Sequence, residues 1–314
     1  MHQAQKFIQD TFEIIHLKNE QYEAKIAVNI GNTLFSFYNK HKEYIYFPFS
    51  LATYKNNKKL AGNPFMHPWA NRLEGEYIHV EKTHYAFPHE HKYLLYRDAN
   101  HLPLHGLLLK SDKWKTSEII ETASYCSHTA ELEFNEVQWL SIFPFLHDIK
   151  ITHRLRENHL TIETCIHNKD KKPMPISFGF HPYFTKPTPA YLSIPATEAM
   201  ALNELLLPTS NKIKTNDKWQ INEGQISLDN QAFDDGFYPL QFTHQHAKFS
   251  LNNLDILFDE HYAFAQVYAP LNTDKPYVCI EPMTASTNAL NTNSCPTILP
   301  NQSFNAIFSI QINE

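Results

Sequence analysis

Residues 159–167 read HLTIETCIH, and their alternation points to the class of fold. Leu160, Ile162, Thr164 and Ile166 share one face of an extended chain, while Thr161, Glu163 and Cys165 share the other. A period of two marks a strand with one face in a core, because successive side chains of a strand point to opposite sides. The pattern recurs at Ala130, Leu132 and Phe134, set against Glu131, Glu133 and Asn135. It returns where Ala306, Phe308, Ile310 and Ile312 alternate with Ile307, Ser309 and Gln311. Prolines at 187, 189, 195, 208, 239, 270, 276, 282, 296 and 300 punctuate the second half and exclude long helices there. Only residues 3–15 pass for a helix. The expectation is an all-β protein, a large antiparallel β-sandwich with few short helices.

The 314 residues include 22 Phe, 16 Tyr and 4 Trp, ample apolar surface for a core. No low-complexity linker or fixed-period repeat divides the chain, so residues 1–314 are expected to form one domain. Lys and Arg total 27 against 33 Asp and Glu, a formal charge of −6. That balance exerts no general pull on polyanions, so neither nucleic acid nor a membrane is an expected partner. Cys126, Cys165, Cys279 and Cys295 form no C-x-x-C pair and are too sparse for a disulfide scaffold. The first twenty residues lack the apolar core of a signal peptide, and a cytoplasmic location is expected. Neither G-x-G-x-x-G nor G-x-x-x-x-G-K-[ST] occurs, which removes the usual nucleotide cradles.

Several short segments place charged or imidazole side chains among prolines and aromatics. In GFHPYF, Pro182 biases His181 toward an extended backbone, and that histidine suits a packed core position as well as catalysis. In VCIEPMT, Glu281 is a carboxylate in an apolar strand, costly unless paired or used. Partial burial would raise its pKa toward the range of a general base, whereas an ion pair would make it structural. His105 lies in LHGLL, and Asn71 and Arg72 follow Trp69 in PWANRL, a polar pair beside a ring that suits a sugar. Phe233–Phe237, FDDGF, reads as an Asp-Gly turn. His89-Glu90-His91 and His244-Gln245-His246 have strand-face spacing but no third ligand nearby, so no metal site is expected.

Taken in order, NPFMHPWANRL, PLHGLL, PFLHDIKITHRL through HNKDKKPMPISFGFHPYF, AFDDGF and CIEPMTASTNAL resemble the aldose 1-epimerase (galactose mutarotase) family. These stretches span about residues 63 to 290. The resemblance implies the family's β-supersandwich and a cofactor-free isomerase that interconverts the anomers of a free monosaccharide. It implies His181 as the general acid on the ring oxygen and Glu281 as the general base on the anomeric hydroxyl. His105 and Arg72 would bind the sugar near its ring oxygen, Asn71 and Asp234 would orient hydroxyls, and Gln266, in AQVYAP, would add a contact. His181 as imidazolium and Glu281 as carboxylate would then grip the sugar from opposite sides.

Three departures bear on sugar preference rather than on the acid–base pair. Asp235 follows the FD aspartate where relatives often carry histidine, and Trp69 replaces a frequent tyrosine. No arginine follows His105-Gly106 as it does in the phosphohexose epimerases' HGFAR segment, so a phosphosugar is not the expected substrate. Two other classes share the motif-bearing residues: a non-catalytic carbohydrate-binding protein, and a glycoside hydrolase or lyase pairing Glu281 with Asp234 or Asp235.

Overall fold

The structure is a computed structural model and describes residues 1–80, 82–271 and 274–313. Strands dominate it, and the four helices among the described residues are of four to six residues each. The centre of a ten-stranded sheet runs Leu254–Phe258, Ser303–Ile312, His159–Asn168, His147–Arg156 and Cys126–Phe134, all antiparallel. An eight-stranded sheet carries Phe233–Phe237, Phe264–Ala269, Tyr277–Met283, Gly179–Phe180 and Phe65–Met66 side by side, with Tyr183–Thr185 also paired to Tyr277–Met283.

The alternation dictates how the sheets meet. Leu160, Ile162, Thr164 and Ile166 are fully buried, as are Ala130, Leu132 and Phe134 and the face of Ala306, Phe308, Ile310 and Ile312. Phe308 of the ten-stranded sheet packs on Phe180 of the eight-stranded sheet with ring centroids 5.1 Å apart. Phe304 meets Phe178 in the same way at 6.0 Å. Each such side chain contributes roughly 1.5–3 kcal/mol by leaving water, and a one-residue slip would turn a strand's whole set outward. Register is therefore strongly specified.

Residues 3–15 are not helical. Gln3–Gln9 and Phe12–Lys18 form a hairpin, joined to Tyr22–Ala27 and Thr33–Asn39 in a four-stranded sheet. The turn residues Asp10 and Thr11 have φ of 49° and 75°. Positive φ at both central positions matches the twist of two antiparallel strands, so the turn overrides a weak helical pattern. Ile14, Ile15 and Leu17 then enter the core, and Ala4 N donates to Glu121 Oε1 across to the ten-stranded sheet at 2.7 Å. No helix among the described residues is long and apolar enough to cross a membrane.

Four buried histidines lie outside the polar cleft described below. His67 and His147 face each other at 2.8 Å between Nε2 atoms, and the rings of His128 and His153 stack at 6.4 Å. Desolvation pushes His147 and His128 down to about 4 and His153 to about 3, and holds His67 well below the ordinary value. Unfolding exposes these imidazoles, which then take up protons below about pH 6.5 that the native state refuses. Stability is therefore full above that pH and is lost as pH falls toward 3–4. Each group steepens the loss by up to about 1.4 kcal/mol per pH unit. Urea denaturation from pH 7 to pH 4 checks this; an unchanged midpoint would show that these groups do not control acid stability.

Candidate active site

Strand Tyr277–Met283 organises the site through its register. On one side Glu281 pairs with Gln266, which in turn pairs with Gly236. On the other, Gly179 pairs with Met283 and Tyr183 with Cys279, so both pieces keep one register across the break at Pro182. That register sets His181 directly opposite Glu281, with Nε2 and Oε1 3.3 Å apart. Residues two apart share a face, which adds Asp234 and Tyr268 beside this row. Gln266 Nε2 donates to Asp234 Oδ1 at 2.8 Å. The alternate residues Val278 and Ile280 point into the core and are fully buried. FDDGF is thus a strand rather than a turn: Phe233 and Phe237 anchor it in the apolar layer, and its aspartates alternate between faces.

The second wall is built from loops by backbone contacts. Gly106 has φ of 72°, and a Cβ there would stand 2.2 Å from the carbonyl oxygen of His67. Glycine permits both the left-handed backbone and the close approach, and this brings the LHG segment against PWANR. His105 N then donates to the Asn71 carbonyl at 2.9 Å. Arg72 Nε donates to Asp98 Oδ2 at 2.8 Å, Nη1 to Asn71 Oδ1 at 2.9 Å, and Nη2 lies 3.9 Å from Asp234 Oδ2.

One cleft of about 290 Å³ is lined by Asn71, Arg72, His105, His181, Asp234, Gln266 and Glu281 together. That is close to the small end of ligand sites, ~300–1,000 Å³. Lys58, Leu60, Tyr96, Leu104, Tyr183, Tyr268 and Tyr277 complete the lining. Tyr183 stacks on His181 at 4.5 Å, and Tyr277 meets Tyr183 at 5.0 Å. The period of two from His181 and from Gln266 carries the signal for Tyr183 and Tyr268. Lys58, Tyr96 and Asp98 gave no such signal, because only chain folding brings them there.

Other residues fall elsewhere. Trp69 is a core residue, 1 % exposed and stacked on Phe87, so the rings of the cleft are tyrosines. Asp235 faces away from the cleft and pairs with Lys218. His89 binds Glu76 at 2.6 Å. Among the described residues, no group of three His, Cys, Asp or Glu side chains is arranged to hold a metal.

His181 and Glu281 lie side by side, not across a sugar-sized gap. Both are buried, and desolvation dominates each. It pushes His181 down to about 3. It also pushes Glu281 well above the carboxylate range, aided by Asp234 and opposed by Arg72. Burial thus drives both groups toward their uncharged forms, imidazole and carboxylic acid, and works against an ion pair. Burial likewise holds His105 well below the ordinary histidine value, with Arg72 as a lesser cause. Among the described residues Glu281 Oε2 and the Nδ1 atoms of His105 and His181 have no hydrogen-bond partner.

A sequence model of the family described as aldose 1-epimerase matches residues 13–309, and the chain belongs to that family. A galactose mutarotase-like protein from Clostridium acetobutylicum superposes with a TM-score of 0.85 at 18% identity, covering 100% of this chain and 99% of that one. A galactose 1-epimerase from Lactobacillus acidophilus NCFM gives 0.77 at 14% identity over 100% and 99% of the chains. A putative aldose 1-epimerase from Escherichia coli K12 gives 0.72 at 15% identity over 96% and 98%. At these identities the structures share the fold.

Asp98 is the support of Arg72, with its side chain only 5% exposed. Its Oδ1 also accepts the backbone N–H groups of Asn100 and Leu102 at 2.9 Å. Asp98→Asn keeps those acceptors but removes the charge opposite a guanidinium that is 11% exposed. The expected cost is about 2–4 kcal/mol of folding stability. Equilibrium urea unfolding measures it, and a loss under about 0.5 kcal/mol would show that Arg72 does not depend on Asp98.

Proposed function

We propose that the protein catalyses the interconversion of the α and β anomers of a free aldose, with His181 and Glu281 as the acid–base pair. The observation that carries this reading is their 3.3 Å contact on the wall of a cleft of one-sugar size. The ring oxygen and the anomeric hydroxyl of a cyclic aldose hang on the same carbon. An acid and a base side by side therefore match two oxygens that are also side by side. Asn71, Arg72, His105, Asp234 and Gln266 supply donors and acceptors for the remaining hydroxyls.

The proton count gives the mechanism its symmetry. The pair holds one proton in either tautomer, imidazolium with carboxylate or imidazole with carboxylic acid. The charged tautomer opens the ring: Glu281 takes the anomeric hydroxyl proton, His181 delivers one to the ring oxygen, and that C–O bond breaks. This leaves the aldehyde facing the neutral pair, the form that burial favours. After rotation about the bond to the aldehyde carbon, the neutral pair closes the ring. Glu281 returns its proton to the carbonyl oxygen while His181 takes the proton of the attacking hydroxyl. Arg72 holds the carboxylate tautomer within reach, because its charge opposes the rise in the Glu281 pKa.

Glu281→Gln preserves shape and removes the proton exchange. Polarimetry on pure α-glucose or α-galactose is expected to show kcat reduced by ~10²–10⁴-fold, with KM little changed. Wild-type rates in this variant would overturn the assignment. Release of reducing sugar from an aryl glycoside by the wild type would point to hydrolysis instead.

The pH profile follows from the pair titrating as a unit. A second proton enters only well below the ordinary histidine range, since His181 is pushed down to about 3. The single proton leaves only well above the ordinary carboxylate range, since Glu281 is pushed up. The expected log kcat profile falls on the acid side well below the ordinary histidine value and on the alkaline side above the ordinary carboxylate value. An inflection near pH 6.5 that shifts in His181→Asn would show an ordinary, exposed imidazole and contradict the buried neutral pair.

A further inference from the structure

Lys110 is 6% exposed and stands outside the catalytic row, yet its ammonium is fully engaged. Nζ donates to the carbonyl oxygens of Tyr54 at 2.7 Å, Asn57 at 2.8 Å and Lys59 at 2.9 Å, one acceptor for each of its protons. It also lies over the Tyr54 ring, 4.0 Å from the centroid. Tyr54 belongs to helix Leu51–Asn56, whose last carbonyls have no partners within the helix. Packing alone would be served by an apolar side chain without the desolvation cost of a buried charge. The three carbonyls show what the charge does instead, which is to pin residues 57–60.

Those residues are a wall of the cleft. Lys58 and Leu60 line it, and the chain running on from them is fastened to the segment that carries His181 and Tyr183. Tyr183 N donates to the Gly62 carbonyl at 2.8 Å, and His181 N to the Pro64 carbonyl at 3.0 Å. At its own end, Lys110 closes the HGLLLK segment that carries His105. One ammonium thus joins the wall at Lys58 and Leu60 to the wall at His105.

We propose that Lys110 is a positioning residue for substrate, fixing residues 57–60 against the His105 segment and thereby setting the affinity of the cleft for its aldose. This rests on the reading that the cleft binds an aldose. The groups facing the ammonium are Tyr54 and Lys55 from the helix and Tyr96 from across the cleft wall. Burial, with Lys55 as a lesser contribution, pushes Lys110 down to about 8. Burial raises both Tyr54 and Tyr96 above the ordinary phenol range and lowers Lys55. Alkaline pH consequently removes the proton that holds the wall before it touches the tyrosines.

The test combines Lys110→Met with three measurements: amide hydrogen exchange across 57–62, aldose Kd by titration calorimetry, and kcat by polarimetry. Expected are exchange and Kd each raised on the order of tenfold, with kcat within about twofold, because His181 and Glu281 keep their strand register. A folded variant with wild-type exchange and Kd overturns the proposal, as does one that loses only thermal stability. Should Lys110→Met not fold, wild-type Kd decides. It is expected to weaken between about pH 7 and pH 9.5, and a constant Kd overturns the proposal. If the wild type binds no aldose at all, the proposed function falls instead, and hydrogen exchange alone judges whether Lys110 holds the wall.

Discussion

Without the antiparallel register of strand Tyr277–Met283, His181, Gln266 and Glu281 would not stand side by side. Its core face, Val278 and Ile280, is committed to the apolar layer, and that commitment turns Glu281 to the opposite side. Pairing with Phe264–Ala269 then brings Gln266 alongside, and pairing with the two pieces around Pro182 brings His181. Hydrophobic burial thus places a carboxyl and an imidazole side by side, although neither gains from being buried. A one-residue slip would place Ile280 in the cleft and Glu281 in the core, so the energy that fixes the sandwich also fixes the site.

The electrostatics follow from the same burial. Desolvation acts on both members of the pair toward neutrality, and a neutral pair keeps one mobile proton without an uncompensated charge. The charges in the neighbourhood belong to Arg72, Asp98 and Asp234, which form a chain from the loop wall to the sheet. Arg72 is the member that opposes the rise at Glu281, and Asp98 is what keeps Arg72 aimed. The carboxyl is therefore tuned from a loop, while its position is set by a strand.

Part of the cleft lining was legible in the residues, because the alternation of a strand is local. His181 and Glu281 stood out as polar groups in strand-like apolar company, whereas Asp234 and Gln266 were marked only by the family resemblance; all of them, with Asn71, Arg72 and His105, line one cleft. The reading failed where long-range contacts decide. Trp69 beside Asn71 and Arg72 went to the core with Phe87, since a fully buried indole gains more than an exposed one. The two-residue turn at Asp10 and Thr11 displaced a helix, and FDDGF became a strand because pairing with Phe264–Ala269 satisfied its backbone. Asp98, Lys58 and Lys110 carried no local mark at all.

Residue order alone established the all-β class, since a period of two in apolar residues has no other way to be buried, and it singled out the histidine and the glutamate of the pair. That the two lie 3.3 Å apart, and that burial drives both toward their uncharged forms, came only with the folded sheets. Which face a residue takes follows from its neighbours in the chain. Its distance to a partner a hundred positions away, and the water removed from both, follow from how the sheets close over them.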